Sequence, residues 1–146
     1  MENVKWKTDK EYNTSKIGEI MELVAQIKAF NDNIEEEVII EVNELQLDVF
    51  AVYVPFKLYL KKMYLVELNL FMDEIRLEKS LNPMKSMDKC GQGFEYRING
   101  YLNENGVLDA GIQFKDDIFE EFSYLYGSYI SVYVDRIDVD FLKELD

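Results

Sequence analysis

The stretch Val132–Phe141, VYVDRIDVDF, begins as a strand with one apolar face and ends as a strand with the other. Up to Val134 the apolar residues Ile130, Val132 and Val134 share one parity. After Asp135-Arg136 the apolar residues are Ile137, Val139 and Phe141, on the opposite parity. Successive strand residues point to opposite faces, so a flat strand buried on one side cannot change parity midway without turning its apolar set to water. The chain must bend or bulge at this point, as it does where a strand passes from one layer of a coiled sheet to another.

The same swap occurs twice more. Val38, Ile40 and Val42 give way to Leu45, Leu47 and Val49 across Asn43-Glu44, and Val66, Leu68, Leu70 and Met72 give way to Ile75 and Leu77 across Asp73-Glu74. Three swaps of this kind imply a strongly bent antiparallel barrel or sandwich of about five to six strands, within the usual size of a sheet. The segment FEYRINGYLNENGVLDAGIQFK, Phe94–Lys115, reads as a hairpin. A three-residue loop Glu104-Asn105-Gly106, with Gly106 left-handed, pairs Leu102 with Leu108, Ile98 with Ile112 and Tyr96 with Phe114.

Two helices complete the expectation, a β-rich α+β fold. Ile17, Ile20, Met21, Val24 and Ile27 stand at spacings of three and four and predict an N-terminal helix over 15–30, capped by Thr14 or Ser15 and ending at Asn31-Asp32-Asn33. A second short helix, over 116–126 before the last strand, has acids in its first turn and stops at Gly127. The basic, aromatic segment FKLYLKKMYL, Phe56–Leu65, reads as an edge strand guarded by lysines.

A chain of 146 residues with 48% apolar content suits one domain, 1–146, with a core that needs neither disulfide nor metal. A single cysteine, Cys90, and no apolar leader or membrane-length run favour a cytoplasmic protein. Histidine is absent, which removes His-based serine and cysteine catalysis and His-ligated zinc. A net charge of -13 argues against nucleic acid, whose phosphates need a concentrated positive surface. Nothing in the pattern calls for a cofactor or a membrane.

The acid is concentrated in residues 19–48 and 104–146, on either side of a middle close to neutral. The expected activity is therefore non-enzymatic: an inhibitor, immunity-type or anti-defence-type protein docking on a more basic partner. Its candidate contact groups are Glu35, Glu36 and Glu37; Asp116, Asp117, Glu120 and Glu121; and Asp138 and Asp140. Tyr124, Tyr126, Tyr129 and Tyr133, around Gly127, are candidate interface or ligand aromatics, because one end of a tyrosine is apolar and the other hydrogen-bonds. Two rival readings are a small-molecule-binding barrel and a carboxylate hydrolase using a pair such as Asp135 and Asp138. Asp138 and Asp140 read as the wet side of a strand rather than a metal site, and self-association into a homo-oligomer stays open. Cys90, beside Lys89 and before Gly91 and Gly93, reads as a surface-loop residue without a base to activate it.

Overall fold

The computed structural model describes residues 22–145. Eleven strands lie among them: β1 Glu22–Phe30, β2 Glu37–Val42, β3 Leu45–Tyr53, β4 Met63–Phe71, β5 Arg76–Lys79, β6 Ser86–Lys89, β7 Tyr96–Leu102, β8 Val107–Asp109, β9 Gln113–Lys115, β10 Ser128–Val134 and β11 Arg136–Glu144. Five close into a barrel in the order β11-β3-β2-β1-β4, with β4 returning to β11. Strands β4-β1-β2-β3 form a Greek key, and β11 closes the gap, parallel to β3 and antiparallel to β4. Small Greek-key barrels of this kind include the OB-fold, and the architecture by itself assigns no function. No helix among the described residues is long and apolar enough to cross a membrane.

Between β4 and β11 the chain builds a second sheet, in the order β9-β8-β7-β10-β5, with β6 also alongside β7. Two of the three parity swaps are the crossings between these layers: Asp73-Glu74 carries the chain out of the barrel into β5, and Asp135 carries it from β10 back into β11. Each sheet buries one face, and one apolar core runs through both. Ile130, Val132 and Val134 point inward from the second sheet, and Ile137, Val139 and Phe141 from the barrel, all fully buried.

The third swap is a tight turn and not a bent strand. Asn43 and Glu44 adopt φ of 51° and 67°, the left-handed pair of a two-residue hairpin, and Val42 pairs directly with Leu45. Partners across such a turn share a face, so an apparent change of parity along the chain is continuity across the sheet.

Residues 22–30 of the expected N-terminal helix are strand β1, and the remainder of that helix, with its cap, lies outside the described residues. The inward set is Leu23, Ala25 and Ile27, while Val24 is 47% exposed. The helical pattern rested on Val24 and passed over Ala25, whose small side chain gives little periodic signal yet fits fully buried between strands. Pairing with both β2 and β4 removes β1's free edges, and that tertiary gain overrides helical spacing. Asn31 then forms the turn, its Oδ1 accepting from the N–H groups of Asn33 at 2.7 Å and Ile34 at 3.2 Å.

The second helix lies where expected but is a 3-10 helix, Asp117–Leu125, interrupted at Phe122. Asp116 caps it, its Oδ1 accepting from the Ile118 N–H at 3.0 Å, and Gly127 ends it at φ 87°. Residues 56–62 form a loop at one end of the barrel instead of an edge strand, and β4, which follows, is paired on both sides. Tyr64 is fully buried with its ring stacked on Phe56 at 5.6 Å, and its hydroxyl accepts from the Tyr59 N–H at 2.9 Å.

The hairpin after β7 keeps its turn and loses most of its expected register. Gly106 has φ 77° and Leu102 pairs with Leu108, as the pattern implies. Beyond Asp109 the chain reverses again, with Gly111 at φ 96° donating to Asp109 Oδ1 at 3.0 Å, so Phe114 pairs with Leu108 and not with Tyr96. Ile98 lies opposite Met87 and Val132 instead of Ile112. Alternation alone treats Leu108, Ala110, Ile112 and Phe114 as one strand, and all four are indeed buried. The Asp109–Gly111 turn lies inside that run and costs it no burial.

Candidate functional site

The barrel's outer wall gathers acids from strands that are far apart in sequence. Glu37 pairs with Phe50, Phe50 with Asp138 and Asp138 with Asn69, so Glu37 and Asp138 stand on one lateral row. On another row Glu22 pairs with Glu67, and Glu67 with Asp140. Side chains directly opposite on adjacent strands approach to about 4.5–5.5 Å at Cβ, and like charges there oppose folding. Burial first, then the neighbouring Asp140 and Glu22, pushes the Glu67 carboxyl above its ordinary value. Asp140 is likewise raised, by burial and by Asp138. Among the described residues no lysine or arginine stands within ion-pair distance of Glu22, Glu67 or Asp140.

Asp138 does have a partner. Arg136 Nε donates to its Oδ1 at 2.6 Å, and the guanidinium lies 4.3 Å from the ring centres of both Phe50 and Phe71. The strand pattern explains the sandwich: Arg136 is on the outward parity of β11, between the outward aromatics of β3 and β4. The acid row is therefore bounded by a fixed cation and an aromatic pair, with Phe71 38% and Val24 47% exposed beside it.

The other candidate groups separate. Glu35 and Glu36 are exposed in the turn before β2. Asp117, Glu120 and Glu121 are exposed on the 3-10 helix, which packs on β10 of the second sheet, and Asp116 is occupied as its cap. Tyr124 is 76% exposed, and Tyr126 lies against the Gly106 turn. Tyr129 meets Tyr101 at 5.2 Å on the outer face of the second sheet. The first and third acid groups thus reach one wall through Glu37, Asp138 and Asp140, and the helix acids do not belong to it.

Tyr133 stands where two shallow clefts meet. One, of about 450 Å³, is lined by Arg76, Tyr96, Tyr133, Val134 and, from the loop Cys90–Glu95, every residue but Phe94. The other, of about 360 Å³, is lined by Ile75, Arg76, Leu77, Glu78 and Tyr133. Arg76 lies 5.7 Å from the Tyr133 ring centre and 3.4 Å from Asp135, so Asp135 is engaged at the layer crossing and stands apart from Asp138, which belongs to Arg136. Both clefts are outside the barrel, whose interior is filled by Ile27, Ile40, Tyr64, Val66 and Phe141.

Behind the larger cleft, the barrel and the second sheet are joined by charge. Asp48, on β3, is 7% exposed. Its Oδ2 takes the ammonium of Lys89, from the end of β6, and its backbone N–H donates to Tyr96 Oη at 2.8 Å. Glu37 stands diagonally across from Asp48 on the neighbouring strand and accepts from Asn31 Nδ2 at 2.6 Å. The neighbouring Asp48 carboxyl, followed by burial, raises the Glu37 carboxyl above its ordinary value. Burial chiefly raises the Tyr96 phenol. Sequence reading passed over Asp48, Glu67 and Arg76, and took Lys89 only as the neighbour of Cys90. The one available signal was Asp48 itself, a lone carboxylate inside the apolar strand LQLDVFAVY.

No group of three or more acidic or cysteine side chains among the described residues is arranged to hold a metal ion. No curated protein and no solved structure matches the chain. A family model described as "Uncharacterised conserved protein UCP019853" matches residues 21–142, from just before β1 into β11, and the chain belongs to that family.

Proposed function

We propose that this is a non-enzymatic binding protein that docks its barrel wall on a basic segment of a partner protein. The observation that carries the reading is the row Glu22–Glu67–Asp140, three carboxylates in register on adjacent strands with no lysine or arginine of the described residues within ion-pair distance. Such a row works against folding, and a lysine- or arginine-bearing surface laid across it would reverse the sign of that interaction. The exposed Val24 at its margin, and Phe71 beyond the adjoining Asn69–Asp138 pair, supply apolar contact on the same wall, as interfaces require. Because the acids line one wall, association is electrostatically steered and falls in rate as salt shortens the screening length to about 10 Å at 0.1 M.

The test is isolation of partners from the native host, with kinetics on the partner recovered. Wild-type protein and a Glu120→Lys/Glu121→Lys variant should bind alike, with rates that fall steeply with salt. Glu67→Lys/Asp140→Lys should associate at least about tenfold more slowly while remaining folded. Binding unaffected by reversal on the barrel wall, or insensitive to salt, overturns the reading.

A further inference from the structure

The carboxylate of Asp48 poses a question of hydrogen bonding that the fold itself must answer. It is 7% exposed, and while Oδ2 holds Lys89, Oδ1 is buried without a hydrogen-bond donor among the described residues. An acceptor left so carries its full desolvation cost, and a charged one more. Glu37 pairs with Phe50 on the neighbouring strand and so stands diagonally across from Asp48 on the same face, another carboxyl group within reach of it. Two carboxylates have no hydrogen to share, so a hydrogen bond between them requires that one carry a proton.

We infer that Glu37 and Asp48 hold one proton between them, and that this proton is the third member of the joint linking the barrel to the second sheet. Glu37 is the donor to Asp48 Oδ1, and Lys89 serves Oδ2. The remaining groups facing the pair are Tyr96 from β7, whose hydroxyl is taken up by the Asp48 N–H, and Asn31 from the β1–β2 turn, which donates to Glu37 Oε1. The proton comes from solvent and returns to it. When it leaves, Oδ1 loses its donor and two carboxylates face one ammonium. Lys89 is the residue immediately before the loop Cys90–Glu95, one wall of the 450 Å³ cleft. The protonation state of Glu37 therefore sets how firmly that wall is held.

The experiment is a carboxyl carbon NMR titration of the full chain, with amide hydrogen exchange in the Cys90–Glu95 loop recorded over the same pH range. In the wild type, Glu37 should titrate above the ordinary 4.5, and loop exchange, corrected for its intrinsic pH dependence, should quicken through the same midpoint. Asp48→Asn should return Glu37 toward 4.5. Should that variant fail to fold, Glu37→Gln, whose amide keeps a donor for Oδ1, supplies the second arm: its loop exchange should be slow and flat across the range. A wild-type Glu37 titrating at the ordinary value overturns the inference, as does a raised midpoint that survives Asp48→Asn, or a Glu37→Gln loop that still opens with pH.

Discussion

The carboxylate of Asp135 and the backbone N–H of Asp73, 62 residues apart in sequence, meet at 2.8 Å. They are the two points where the chain crosses between barrel and second sheet, and the Asp135 N–H donates in turn to Phe71 O at 2.9 Å. The crossing strands thus fasten each other, with Arg76 3.4 Å from the same carboxylate. Asp135→Ala should destabilise the protein by about 1–2 kcal/mol, the value of a charge-assisted hydrogen bond discounted for partial exposure. Asp135→Asn, which keeps an acceptor, should lose less. Urea midpoints for the three proteins check the order.

Two glycines should differ in what they tolerate. A Cβ on Gly100 would come within 2.4 Å of the Asp109 backbone oxygen, where β8 turns away from β7. A Cβ on Gly106 would meet Tyr126 Oη at 2.7 Å, the end of a side chain that can shift, although its φ of 77° adds strain. Gly106→Ala should cost about 1 kcal/mol, and Gly100→Ala about 2–3 kcal/mol through displaced backbone. Equal losses in calorimetry would contradict this account of the double turn.

The acid row makes stability depend on pH with a definite sign. The folded-state values of Glu67 and Asp140 are raised, so their contribution is fully present below the unfolded values, 4.5 and 3.8, and is lost as pH rises through the folded ones. Glu67→Gln should therefore raise the melting temperature at pH 7, by the equivalent of about 0.5 kcal/mol for one like-charge cross-strand contact. That advantage should vanish near pH 4. A gain that persists in acid would point to packing and not to charge.

Cys90 is exposed, and its thiol approaches Asp88 O at 3.6 Å. Cys90→Ser should leave the melting temperature within the change expected of about 0.5 kcal/mol. Asp138 is already held by Arg136, so calcium, magnesium or manganese at millimolar concentration should not raise the melting temperature relative to chelator. A rise abolished by Asp138→Asn would mean that a cation displaces Arg136.

The parity of VYVDRIDVDF revealed the most consequential feature of the fold, because only a change of layer buries both Val134 and Ile137. The same rule misled at Asn43-Glu44, where a two-residue hairpin yields an identical alternation and lacks the glycine that would have marked it. The helix expected over β1 failed for a different reason. Ala25 is small enough to face either environment in a sequence, and what places it inside is pairing with β2 and β4. For the site, outward acids on β11 were legible, but Glu22 and Glu67 become their neighbours only through register. Glu37 was grouped with Glu35 and Glu36 as a contact acid, and its place next to Asp48 depends on the pairing of β2 with β3.

The barrel closes through β11, yet the chain must first produce residues 72–135, all of the second sheet, after β4 is complete. At roughly 5–20 residues per second a ribosome needs several seconds for that interval. Through it, β3 and β4 each present an unpaired edge, which is the surface on which nascent strands misassemble. Folding is governed by the long-range β3–β11 and β4–β11 pairings and so is slow for a chain of this size. The second sheet, whose β6–β7, β7–β8 and β8–β9 pairings join consecutive strands, can begin to assemble while the barrel waits, and β10, once paired with β7 and β5, delivers β11 already aligned to the gap. In the cell, the time this protein spends exposed is set by the length of the insertion that separates the last two staves of its barrel.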